Sequence, residues 1–176
     1  MTLLVVRLAG GALILTACTY AGIMAEGRLK RRWMFFEELC ELFGYLERET
    51  VYHRTPLDEA LSLAAERCRT ELKKVLLDAA EGVKKKTGGE FSEIWEKAVR
   101  RELDRGIFAE ETIQVILLSS KALCNPDVVL QKELISQYAR RFAQMEADAE
   151  EDYRSKGGLF RKLGTAAGIF LILLLM

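Results

Sequence analysis

An all-α fold is what this sequence predicts, with one helical domain held between two apolar ends. Only two prolines occur in 176 residues, so little interrupts helix formation. Apolar residues recur at steps of three and four along most of the chain, and strand-like alternation is hard to find. Both ends carry uncharged stretches flanked by basic residues, the pattern of membrane anchors. With 50% hydrophobic residues, a chain of this length holds one ordinary domain plus membrane segments. The expected division is an amino-terminal transmembrane segment at 1–26, a cytoplasmic helical bundle at 27–158 and a carboxy-terminal membrane anchor at 159–176.

Lysine plus arginine number 26 and so do aspartate plus glutamate, which gives no electrostatic argument for nucleic acid. Cys18, Cys40, Cys68 and Cys124 lie far apart and form no C-x-x-C, so neither a zinc site nor a redox motif is encoded. They suit a reducing compartment, where buried cysteine behaves as a small hydrophobe.

Leu8 to Ala25 is uncharged and long enough for one crossing. Arg28, Lys30, Arg31 and Arg32 follow it and outweigh Arg7, so the positive-inside tendency places the domain in the cytoplasm. Leu15-Thr16-Ala17-Cys18 also matches a lipoprotein signal with Cys18 lipidated, which would place the domain outside. Arg7 following several apolar residues, and the uncharged run past Cys18, argue against a cleaved signal.

From Trp33, the residues Phe36, Leu39, Phe43, Leu46 and Thr50 form one face of a helix ending near His53. Thr55-Pro56-Leu57-Asp58-Glu59 then opens a new helix: Thr55 as cap, Pro56 at the first helical position, and acids at the positive end of the dipole. Leu61, Ala64, Ala65 and Cys68 continue inward, and a further stretch carries Leu72, Val75, Leu76 and Ala79. Lys84-Lys85-Lys86-Thr87-Gly88-Gly89 breaks the run. Its order is wrong for a phosphate loop, so the lysines read as a solvated helix end or a contact for an acidic partner or lipid head groups.

Phe91-Ser92-Glu93-Ile94-Trp95 opens the next helix, with Trp95, Val99 and Leu103 facing the core and Gly106 ending it. Ile113 to Leu118 is the most apolar helix of the domain and is expected at its centre. Asn125-Pro126-Asp127 begins the last long helix, whose stripe is Leu130, Leu134, Tyr138, Phe142 and Met145. First and last helices each offer a stripe to the other and should run antiparallel. Glu146 to Asp152, with Glu146, Asp148, Glu150 and Glu151, is a solvated stalk or a docking face for a basic partner.

Arg161 and Lys162 precede the final run from Leu163, which carries no charge. The run is short of the roughly 20 residues a crossing needs, so a shallow helix with snorkelling basic residues is expected. Gly164 and Gly168 are spaced as G-x-x-x-G, which lets a second helix approach the backbone. Chemistry finds no support. His53 sits at a helix end beside Arg54, and no nucleophile, metal-ligand or calcium-loop pattern occurs, so no enzyme, cofactor or metal is expected.

Thr55 to Leu61, Glu93 to Trp95, Leu130-Gln131 and Phe160 to Gly164, in this order between two anchors, resemble the stage III sporulation protein AB family over essentially the whole chain. The chain departs from that pattern at Leu123-Cys124, where leucine-glycine is common. The family is in turn similar to the cytoplasmic helical domains of the type II secretion F platform protein. The resemblance implies a six-helix antiparallel bundle and a non-enzymatic platform in the mother-cell membrane facing the forespore. The implied partners are the sporulation ATPase, a stage III sporulation protein AA-like enzyme, and other membrane proteins of the mother cell–forespore channel, with a homo-oligomer left open. Lys84, Lys85 and Lys86 and the acidic stretch are the surfaces singled out for such contacts. A Cys18-anchored extracytoplasmic binding module and a membrane-tethered regulatory adaptor are the alternatives.

Overall fold

In the computed structural model, which describes residues 2–53, 55–85, 90–103 and 108–175, every regular element is helical. The order is α1 (Thr2–Leu46), a π-helical turn (Glu47–His53), α2 (Leu57–Arg67), α3 (Leu72–Lys84), α4 (Phe91–Leu103), α5 (Glu110–Leu118), the one-turn α6 (Ser120–Leu123), α7 (Val128–Asp152), a second π-helical turn (Tyr153–Gly157) and α8 (Gly158–Leu175). The chain divides into two compact units. One is Met34–Ala147, and the other joins the two ends, Met1–Trp33 with Asp148–Met176.

The first unit is a helical bundle. If α5 and α6 count as one helix broken at Ser119, six helices pack in it among the described residues, the number expected. Phe36, Leu39, Phe43 and Leu46 are fully buried, as their spacing requires, and Phe35, Leu42 and Tyr45 are buried with them. That wider face is needed because α1 is covered from several directions: Phe35 and Phe36 meet Phe108, at ring distances of 4.5 and 5.9 Å, while Phe43 meets Phe142 at 4.9 Å. Each such side chain contributes about 1.5–3 kcal/mol by leaving water. Stepping back along α1 from Phe43 to Cys40 moves the contact forward along α7 from Phe142 to Glu146, so the two helices are antiparallel.

Three local expectations are corrected. Thr55 does not cap α2; its hydroxyl donates to a Glu49 carboxylate oxygen at 2.8 Å, and Pro56 precedes the helix without a side-chain cap. On α7 Gln131, Ile135 and Phe142 are buried and Leu134, Tyr138 and Met145 are half-buried, while Leu130, expected in the stripe, is exposed. Asp127 fixes that rotation by accepting the amide protons of Val129 and Leu130 at 2.9 and 3.3 Å, and the buried Gln131 side-chain amide donates to the Leu123 carbonyl at 2.8 Å. The polar residue turns inward because Leu123 brings a carbonyl that needs a donor. In α5, Ile113, Val115 and Ile116 are buried while Leu118 is exposed, so this helix is central over only part of its length. Trp95 is fully buried and its indole N–H reaches the Ile116 carbonyl at 2.8 Å, tying α4 to α5. The breaks expected at Gly88-Gly89 and Gly106 lie outside the described residues.

The turn between α2 and α3 is closed from a distance. Glu38 of α1 accepts the backbone N–H groups of Arg69 and Thr70 at 2.8 and 3.1 Å and the Thr70 hydroxyl at 2.6 Å. One carboxylate thus satisfies the amides that precede α3 and brings a negative charge to that helix's positive end. Glu38→Ala is expected to lower the unfolding free energy by about 1–3 kcal/mol, read by urea titration of the full chain in detergent. A change within a few tenths of a kcal/mol contradicts this role.

Candidate functional site

The unit formed by the two ends is a hairpin of α1 and α8, and its seam is made of backbone rather than side chain. A Cβ added at Gly164 would lie 2.6 Å from the Cys18 carbonyl oxygen and 3.2 Å from the Gly22 Cα. One at Gly168 would lie 3.2 Å from the Leu15 Cα and 3.4 Å from the Cys18 Cβ. The seam continues at both ends, with Gly157 beside Glu26 and Tyr153, and Gly11 beside Ile172. Numbers rise on one helix as they fall on the other, so the pair is antiparallel. Where the uncharged part gives way to charge, Trp33 stacks on Tyr153 at 5.7 Å and Arg32 pairs with Asp152 at 3.7 Å.

The sequence singled out Gly164 and Gly168, and the structure sets both against α1. Gly157, Gly22 and Gly11 escaped the sequence reading, although a signal existed. Gly157, Gly164 and Gly168 are spaced by seven and four, one helical face, and Gly11 and Gly22 lie eleven apart, close to three whole turns.

The hairpin's outer faces carry the large apolar residues. Leu13 is 70% exposed, Tyr20 65%, Phe170 64% and Leu173 70%, and Ile23, Met24, Leu163 and Ile169 are also exposed. A helix pair that folds in water puts its bulky apolar residues into the seam. This one inverts the arrangement, with small residues inside and large ones outside, as helices do when the surroundings are apolar. Among the described residues no helix is long and apolar enough to cross a membrane. The two expected transmembrane spans, at 1–26 and 159–176, are corrected to that extent.

The charged candidates fall into different settings. Lys84 ends α3 and is exposed, Lys85 pairs with Glu81 one turn back, and Lys86 lies outside the described residues. In the acidic stretch, Glu150 pairs with Arg154 at 2.7 Å, while Asp148 and Glu151 are exposed. Asp152 pairs with both Arg32 and Lys156, and the Lys156 ammonium holds its carboxyl below the usual range. Glu146 belongs to the bundle, where it helps raise the Cys40 thiol pKa. Much of the stretch is therefore engaged within the chain.

A groove of about 390 Å³ in the bundle is lined by Glu38, Glu41, Tyr45, Arg67 and Cys68, with the Arg67 guanidinium 4.5 Å over the Tyr45 ring. Burial, reinforced by the charges of Glu38 and Glu41, pushes the Cys68 thiol up to about 12. A thiol so held is a poor nucleophile. His53 is exposed, and among the described residues no group of His, Cys, Asp and Glu could hold a metal ion.

These features define an all-helical protein of the bundle class that carries an apolar helical hairpin. The chain belongs to the stage III sporulation protein AB family, whose model matches residues 7–176. It is similar to stage III sporulation protein AB of Bacillus subtilis (strain 168), at 25% identity over 170 residues that cover 97% of this chain and 99% of that protein. The fold also resembles a solved structure of stage III sporulation protein AB, with a TM-score of 0.64 and 20% identity over 70% of this chain and 96% of that one. The chain is thus a sporulation protein.

The Cys40–Glu146 contact between α1 and α7 is open to titration. Burial first, then the charge and hydrogen bond of Glu146, push the Cys40 thiol up to about 12. Because the folded value lies above the unfolded one, the stability this gives is complete below the ordinary thiol range and is lost as pH rises toward 12. Glu146→Gln removes the second and third causes. Alkylation of Cys40 by iodoacetamide near pH 9, followed by peptide mass spectrometry, is expected to speed several-fold, on the order of threefold to tenfold. An unchanged rate contradicts the contact.

Proposed function

We propose that this chain is a non-enzymatic assembly component of a mother cell–forespore channel. Its end hairpin is seated in the mother-cell membrane and its bundle is offered to cytoplasmic partners. The observation that carries this reading is the inverted hairpin: backbone-to-backbone packing inside, large apolar side chains outside. Such a surface is stable where lipid replaces water, and pairing lets a tail too short to cross alone enter against a longer neighbour. The family supports the sporulation setting. In this reading the bundle, similar to the cytoplasmic helical domains of a type II secretion F platform, couples a stage III sporulation protein AA-like ATPase to further membrane proteins. It acts through packing and charge, with Lys84 and Lys85 and the exposed Asp148 and Glu151 as contact surfaces.

The lipoprotein alternative fits the seam poorly. Cleavage before Cys18 would remove Leu15 and Gly11, which cover Gly168 and Ile172. No observation favours it.

Deleting the gene in its host is expected to block sporulation after engulfment, with heat-resistant spores restored by mother-cell expression of the native chain and not of Gly164→Leu. Detergent extraction should recover the ATPase with the native chain. Normal spore yield on deletion, or recovery of one soluble client in place of the ATPase, overturns the reading.

A further inference from the structure

At the level of the hairpin where its uncharged part gives way to charge, both basic and apolar side chains are exposed. Arg28, Lys30 and Lys162 are exposed, and so are Ile23, Met24, Phe160 and Leu163. The contact of Gly157 with Glu26 and of Gly164 with Gly22 sets Lys162 opposite the turn between residues 22 and 26, with Arg28 and Lys30 a turn further toward the charged end. Acid is scarce there. Between residues 26 and 33 and between 153 and 163 the one acidic residue is Glu26, and just outside, Asp152 is shared by Arg32 and Lys156. Among the described residues Arg28, Lys30 and Lys162 have no acidic partner, so this level carries surplus positive charge.

We infer that this level is a binding site for the phosphate groups of anionic phospholipids, an inference that rests on the membrane seating proposed above. A phospholipid matches both halves of the surface. Its phosphate meets the ammonium and guanidinium groups, while its acyl chains meet Ile23, Met24, Phe160 and Leu163. A free phosphate ion would use only the first half. The stacked Trp33–Tyr153 pair lies just beyond the basic residues, where amphipathic rings settle at a bilayer's polar boundary. Lys162 is exposed, as are its sequence neighbours Phe160 and Leu163.

The full chain is reconstituted into vesicles of equal parts phosphatidylglycerol and phosphatidylcholine, with bromine on the acyl chains of one lipid or of the other. Trp95 is fully buried in the bundle, so quenching reports Trp33. Brominated phosphatidylglycerol is expected to quench more strongly, with a local preference of about fivefold or more, from the contribution a Lys or Arg makes near an anionic surface. In the triple variant Arg28→Gln, Lys30→Gln, Lys162→Gln, quenching persists and the preference is lost. Equal quenching of the native chain by both lipids, or a preference unchanged in the variant, overturns the inference. A preference erased by inorganic phosphate but not by chloride at equal ionic strength overturns it in favour of a free-phosphate site. Quenching by neither lipid overturns the membrane seating itself.

Discussion

Gly164 has no room for a side chain, because the carbonyl oxygen of Cys18 stands where its Cβ would be. Backbone cannot move aside as a flexible side chain can, so this contact sets how closely α8 lies on α1. Gly168 lies against the Leu15 backbone and Gly157 against the Glu26 side chain, further along the same seam. With the inside filled by main chain, the bulky residues have only the outside to occupy. The apolar exterior follows from the small interior, and the proposed lipid contacts follow from the apolar exterior.

The Met34–Ala147 bundle obeys the opposite rule. There the aromatic side chains turn inward, Phe43 onto Phe142 and Phe35 onto Phe108, and buried polar groups such as the Trp95 indole and the Gln131 amide find partners. Trp95 and Gln131 each donate to a carbonyl of a neighbouring helix, and Glu38 holds the start of α3. These bonds add modest net stability, yet leaving any of the donors or acceptors buried and unpaired is costly, so they select one arrangement of helices. The same chain thus contains one unit that buries its bulky apolar residues and another that exposes many of them.

Much of this was legible in the sequence because helical periodicity reports burial directly. The all-α class, a helix start within one residue of Leu57 and another at Phe91, and the inward Phe36, Leu39, Phe43, Trp95 and Val99 follow from spacing and turn chemistry alone. Thr55 and Leu130 were misread because a hydrogen-bond partner distant in sequence, or across a turn, overrode the local preference. Glu38 could not be read at all, since its amides lie about thirty residues away and no local pattern marks them. At the seam, G-x-x-x-G marked Gly164 and Gly168 as places of close approach without saying which helix approaches. That partner, Cys18 and Gly22 of the chain's own first helix, is fixed by tertiary packing.

The pairing of α1 with α8 is tested most directly by a disulfide across the seam. The Cβ position at Gly168 lies 3.4 Å from the Cys18 Cβ, close to the spacing of about 3.5–4.5 Å that a disulfide spans. Gly168→Cys is placed in the full chain with Cys40, Cys68 and Cys124 changed to serine, and membranes are oxidised mildly. The seam described here gives an intramolecular Cys18–residue 168 bond in the monomer, seen by peptide mass spectrometry. Cross-linked dimers alone, or free thiols at both positions, would mean that α8 does not lie on α1.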